Sequence, residues 1–410
     1  MAAVSDPLGP SWKFRLSLIR VFWVIPVTLP AVLLLLVADS WLGRMAAVFT
    51  LCAAFLPLLA ALAWSSRKRT WLVVTIASAA VMLGLAGVLL AKAPVGRSTP
   101  PSRVSHQYAA AGAHFPRYAP GNLLPEVDQL MAAFTLMTVA DPLLTATQAA
   151  ELKRLTKSLY RELEADPEFH ALGSAMQLTY SDILHVPSAS GHSYVYVPSH
   201  ADRSKPRPVM VFFHGSGGNL KAYLWILSKL ADELDWILVA PSNGTGNWQE
   251  AQSLACLDFA LQAAQNVAAV DRRHVHLMGL SNGGLAVSQL AGWRGGEVES
   301  LVFLSPVFDD SALRSVSFTR QCTGRPVLVV TGENDDRVPL DYVEGRASAM
   351  TRQGARVRLQ PVPGANHFLM FSHRQILIHT LAAWFSHPGA AESESPTPPD
   401  RASPSLEISH

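Results

Sequence analysis

The sequence predicts an α/β protein, a doubly wound and mostly parallel sheet preceded by three transmembrane helices. Three observations carry this expectation. Residues 176–386 alternate short β-rich runs with helical patterns. Some of these runs, such as Val209-Met210-Val211-Phe212-Phe213, are apolar at every position, as strands covered on both faces are. The first 91 residues contain three long spans free of Asp, Glu, Lys and Arg.

Those spans account for an unusual composition. Of 410 residues, 49% are hydrophobic and only 16% charged, whereas soluble domains average about 25% charged. The spans cover 21–38, 45–66 and 70–91, each long enough for a bilayer core of ~30 Å. The first carries Pro26 and Pro30 and follows Lys13, Arg15 and Arg20, so it also has features of a secretory signal. The stretch Val37-Ala38-Asp39-Ser40 is a poor cleavage site, and two further spans follow. Lys13, Arg15, Arg20, Arg67, Lys68 and Arg69 fall on one side of the spans, and Arg44, Lys92, Arg97 and Arg103 on the other. Cytoplasmic loops carry the basic excess, which places the chain after residue 91 outside the cytoplasm, with the lipid bilayer as the partner of the helices.

Several classes are excluded. Thirty-three Lys plus Arg against 31 Asp plus Glu give a net charge of +2 with no long basic run, so nucleic acid is not an expected partner. The three cysteines, Cys52, Cys256 and Cys322, do not make a disulfide framework or a metal cluster. At most one bridge, Cys256 to Cys322, is open to the part outside the cytoplasm. No cofactor is implied.

Residues 92–125 are rich in Pro, Gly, Ser and Ala and read as a linker. Residues 126–175 read as a helical segment packing on the domain that follows; within it, 145–164 place Leu152, Leu155, Leu159 and Leu163 on one stripe. The expected strands are 194–197, 209–213, 237–240, 275–278, 301–304, 327–331 and 357–362, with helices near 219–233, 249–268, 283–292, 340–353 and 373–385. Residues 387–410, rich in Ser and Pro, read as a disordered tail.

Chemistry concentrates in four loops after strands. Gly279-Leu280-Ser281-Asn282-Gly283 follows an apolar run and opens a helix, the setting of a nucleophile elbow. A serine hydroxyl needs a base, and the base needs an orienting group. Gly332-Glu333-Asn334-Asp335-Asp336 supplies acids after a later strand, and Gly364-Ala365-Asn366-His367-Phe368 a histidine after the last. Asp335 is the chosen acid, with Glu333, Asp336, Asp309 and Asp310 as alternatives; His367 is the base. His214-Gly215-Ser216-Gly217-Gly218 can aim backbone N–H groups at a developing oxyanion, and the proposed donors are Ser216 and Asn282, with Gly217 the alternative to Ser216.

These four landmarks, in this order, resemble the α/β-hydrolase superfamily over residues 180–386. Asp271-Arg272-Arg273-His274-Val275, leading into the elbow, is similar to esterases of the polyhydroxyalkanoate depolymerase, feruloyl esterase and carboxylesterase groups. The resemblance implies a serine esterase or lipase-like enzyme with no metal, acting on a small-molecule or polymeric ester through an acyl-enzyme. The short separation of the 301–304 and 327–331 strands leaves no room for a large cap there. The open site is then bordered by Tyr223, Trp225, Asn243 and Leu369, with Trp248, Phe308 and Phe368 as the expected substrate contacts. The rival readings are a prolyl-oligopeptidase-like peptidase and a non-catalytic binding module of the same fold.

Overall fold

The computed structural model describes residues 20–66, 68–96, 102–109, 115–185 and 191–386. The tail expected over 387–410, and the basic residues Lys13, Arg15, Arg67 and Arg97, lie outside them.

At the front, a π turn over Arg20–Val24 leads into α1 (Ile25–Val37), followed by α2 (Trp41–Ser66) and α3 (Arg69–Lys92). Among the described residues, only α2 and α3 are long and apolar enough to cross a membrane. The 13 residues of α1 rise only about 20 Å at 1.5 Å each, so the first expected span is shorter than the pattern of apolar residues suggested. α2 and α3 leave large apolar side chains uncovered, Trp64 at 79% exposure and Leu83 at 69%. Within a water-soluble chain, surface of this extent would be costly.

An eight-stranded sheet forms the second part, in the order β1-β2-β4-β3-β5-β6-β7-β8. Its strands are β1 (Val104–Tyr108), β2 (His192–Tyr196), β3 (Arg207–Phe213), β4 (Ile237–Pro241), β5 (Val270–Leu280), β6 (Ser300–Leu304), β7 (Pro326–Gly332) and β8 (Arg356–Val362). β1 and β2 pair antiparallel, β2 pairs antiparallel with β4, and every other pairing is parallel. The linker expected over 92–125 therefore contains an edge strand. Val104-Ser105-His106-Gln107-Tyr108 has one aliphatic residue and needs its partner β2 to be recognised.

Strand side chains alternate between two cores. Met210, Phe212, Met278 and Leu304 point to one face, and Val209, Val211, Leu277 and Phe303 to the other. The first face is covered by α4 (Glu126–Ala140), α5 (Ala146–Ala165), α7 (Lys221–Leu234) and α11 (Arg374–Ser386), with α6 (Met176–Ile183) beside them. The second is covered by α8 (Glu250–Gln265), α9 (Gly283–Arg294) and α10 (Leu340–Arg352). Burial on both sides explains why β3, β4, β6 and β7 are apolar over most of their length.

The apolar helices are joined to this body through α4. The Asp128 carboxylate accepts the backbone N–H groups of Asp39 (2.7 Å) and Ser40 (3.0 Å), in the turn between α1 and α2. Burial pushes the Asp128 carboxyl up, and these hydrogen bonds only partly offset that. At the same end of α4, buried Glu126 accepts from Ser174 Oγ and from the Lys221 N–H at 2.9 Å.

Strand order reverses between β3 and β5, because β4 lies on one side of β3 and the later strands on the other. In open α/β sheets the crevice beyond the carboxyl ends at such a switch point is where ligands bind.

Candidate active site

Ser281 sits at that switch point, in the turn from β5 to α9. Its φ of +50° is a left-handed conformation that costs a non-glycine residue about 1–2 kcal/mol. Backbone hydrogen bonds impose it: Ser281 N–H donates to Leu304 O, and Val307 N–H donates to Ser281 O, each at 2.9 Å. The turn also requires small neighbours. A Cβ on Gly279 would strike the Gly283 carbonyl, and one on Gly283 would strike the carbonyl of Phe213 on β3.

The three widely separated side chains meet. His367 Nε2 lies 3.1 Å from Ser281 Oγ, and His367 Nδ1 lies 2.9 Å from Asp335 Oδ2. Asp335 is fully covered while His367 keeps 15% exposure, so the base can reach a substrate and its orienting acid cannot. Asp335 Oδ1 also accepts the N–H groups of Arg337 (3.0 Å) and Val338 (2.9 Å). Burial alone would raise the Asp335 carboxyl, but the hydrogen bond and charge of His367 with the two amides hold it below the ordinary range.

The alternative acids are engaged elsewhere. Glu333 and Asp336 are exposed. Asp309 accepts the N–H groups of Ser311 and Ala312, and Asp310 pairs with Arg346 at 2.9 Å.

In the His214–Gly218 loop, the Gly217 N–H is taken by Thr245 O at 3.1 Å, which removes the alternative oxyanion donor. Among the described residues no acceptor is bonded to the N–H of Ser216 or of Asn282, and both residues border the cavity that contains Ser281. The loop is braced by His214, whose Nδ1 donates to Gly215 O (2.8 Å) and whose Nε2 accepts from Asn243 N–H (3.0 Å). Burial lowers His214 to about 4, so it stays a neutral bridge.

The cavity measures about 350 Å³, within the usual range for small-molecule sites. Of the expected substrate contacts, Phe368 lines it. Trp248 and Phe308 do not: Trp248 is 3% exposed, donates from Nε1 to His214 O at 2.9 Å and belongs to the core against α8, while Phe308 is 4% exposed and packs on Phe303 and Tyr342. Both follow the right strands, but their side chains turn under the loops instead of over them. Of the other bordering residues, Tyr223 lines the cavity; Trp225 meets Phe169 edge to face and lies under Lys229 Nζ, Asn243 serves the loop through its backbone, and Leu369 is buried.

Sequence reasoning did not foresee Met137, Leu143, Arg337, Met370 and Phe371 in the wall. Arg337, Met370 and Phe371 follow the acid and the histidine within four residues and were open to discovery on that ground. Met137 and Leu143 arrive through the tertiary packing of α4, for which the sequence has no local signal. Cys256 and Cys322 are free thiols, and Cys322 Sγ faces Ala291 O at 3.6 Å.

A model of the prolyl oligopeptidase family matches residues 309–388, the part that holds Asp335 and His367. No curated protein matches the chain. Solved structures similar to it include Est1E from Butyrivibrio proteoclasticus, at 16% identity and a TM-score of 0.40, covering 48% of this chain and 94% of that one. A hyperthermophilic esterase from the archaeon Pyrobaculum calidifontis has 18% identity and a TM-score of 0.41, covering 49% and 83%. A candidate dipeptidyl aminopeptidase IV from Bacteroides ovatus has 14% identity and a TM-score of 0.41, covering 49% and 34%.

Proposed function

We propose that this chain is a membrane-anchored serine hydrolase that cleaves carboxylic esters through an acyl-enzyme. The observation that carries the reading is the continuous contact from Ser281 Oγ through the His367 ring to Asp335, at 3.1 and 2.9 Å. The order of the sheet and the family match over residues 309–388 support a place in the α/β-hydrolase superfamily.

The steps follow from the geometry. Ser281 Oγ attacks the ester carbonyl carbon while His367 Nε2 takes its proton. Asp335 keeps the other ring proton on Nδ1 and stabilises the imidazolium that forms. Negative charge on the carbonyl oxygen falls to the Ser216 and Asn282 N–H groups, each such donor contributing roughly 3 kcal/mol. His367 returns the proton to the departing alkoxide, and a water, activated the same way, releases the acid.

The anchor rests on α2 and α3, whose length and exposed apolar side chains suit a bilayer. The Arg20–Val24 turn runs straight into α1 and lengthens it; with the two together as a third span and the basic residues distributed as above, the site faces away from the cytoplasm.

The family match favours a second reading, a peptidase of the prolyl-oligopeptidase type, since the same triad cleaves amides. A panel of p-nitrophenyl esters and peptidyl p-nitroanilides, run on wild type and Ser281→Ala, separates the two. Ester turnover lost in the variant supports the first reading, and turnover of anilides alone supports the second.

A further inference from the structure

The wall of the cavity nearest α4 comes from outside the strands and the loops at their carboxyl ends. Met137 lies in the last turn of α4 and Leu143 in the link from α4 to α5, and both line the space around Ser281 together with Met370 and Phe371. One ion pair connects this link to the catalytic loops: Asp141 Oδ2 lies 2.6 Å from the Arg337 guanidinium, which in turn sits 5.4 Å over the Phe368 ring. Among the described residues, Arg337 is the only permanently charged side chain lining the cavity, and its charge is already met by Asp141.

The same end of α4 is apolar on its outer side. Leu136 is 57% exposed, Val139 90% and Leu143 46%. Leu143 lines the cavity and is also partly exposed, so an apolar side chain stands where the cavity meets the surface. An acetyl group would occupy little of a 350 Å³ space, given that one water takes ~30 Å³.

We propose that α4 and the turn after it form an acyl-binding wall, and that the site takes esters of medium-chain fatty acids. The chain lies against Met137 and Leu143, with its far end over Leu136 and Val139. This rests on the hydrolase reading: the acyl carbon bonds to Ser281 Oγ as the alcohol leaves with the His367 proton, and water then frees the fatty acid.

The test measures kcat/KM of the full-length protein in detergent on p-nitrophenyl esters of two to twelve carbons. Wild type gains about threefold to fourfold per methylene up to roughly eight carbons, the gain expected for burying each CH₂. Met137→Trp fills the wall and lowers the eight-carbon to two-carbon ratio at least tenfold. Asp141→Asn, which releases the turn without adding bulk, lowers the same ratio several-fold. Fluorophosphonate labelling of Ser281 in each variant confirms that it is folded. A flat wild-type series, or a ratio unmoved in both labelled variants, overturns the inference and leaves the hydrolase reading intact. Wild type that neither labels nor turns over any ester overturns the hydrolase reading, and the inference with it.

Discussion

The Asp335 carboxylate faces His367 Nδ1 with both oxygens, Oδ2 at 2.9 Å and Oδ1 at 3.1 Å, while Oδ1 also accepts the N–H groups of Arg337 and Val338 at 3.0 and 2.9 Å. The amides fix the carboxylate and the carboxylate fixes the ring. Replacing Asp335 with Asn keeps the shape but offers His367 an N–H where it needs an acceptor, which favours the wrong tautomer. Asp335→Asn is expected to lower kcat about 10³–10⁴-fold with little change in KM, as measured by steady-state ester hydrolysis. A loss under tenfold contradicts the assigned role.

Gly283 tests the packing that holds the nucleophile. A Cβ there meets the Phe213 carbonyl on β3, and backbone cannot move aside as a side chain can. Gly283→Ala is expected to cost about 1–3 kcal/mol of stability and to lower activity more than stability, because the strain is relieved by moving the Ser281 turn. Thermal melting and kcat of one preparation check both parts.

Acid sensitivity follows from histidines that burial keeps neutral, among them His106, which is held well below its ordinary value. Burial lowers His192 to about 3, His214 to about 4 and His276 to about 3. Each is neutral in the folded protein, whereas an unfolded histidine takes a proton below about pH 6.5. Their contribution is therefore complete above pH 6.5 and is lost as pH falls toward 4, at up to about 1.4 kcal/mol per histidine per pH unit. Melting temperature is expected to fall steeply from pH 7 to pH 5; an unchanged value contradicts neutral burial.

Lys221 links α7 to α5 and is almost fully buried. Its Nζ lies 2.7 Å from Glu164. Burial would raise the Glu164 carboxyl, but the Lys221 charge and the His170 contact outweigh it and bring it to about 2. The Glu164 contribution is thus complete above about pH 4.3 and is lost as pH falls toward 2. Lys221→Met is expected to destabilise the domain by about 3 kcal/mol at pH 7, since it strands a carboxylate. Denaturant midpoints of the two proteins measure it.

The parallel core and the triad were legible because their signals are local. Seven strands carry apolar runs between turn residues, and Ser281, Asp335 and His367 each follow one of them by a few positions. β1 was not legible: its register against β2, Val104 opposite Tyr196 and Tyr108 opposite His192, depends on partners 92 and 84 residues away. Trp248 and Phe308 show the converse limit, since position in a loop does not say which way an aromatic ring turns. The role of α4 required both ends of its packing, Asp128 on the turn after α1 and Met137 beside Ser281.

The most direct measurement is fluorophosphonate labelling of the full-length protein in detergent beside its Ser281→Ala variant. An activated serine predicts a single labelled band in wild type and none in the variant. Equal labelling of both, or no labelling of folded wild-type protein, contradicts a Ser281–His367–Asp335 catalytic centre.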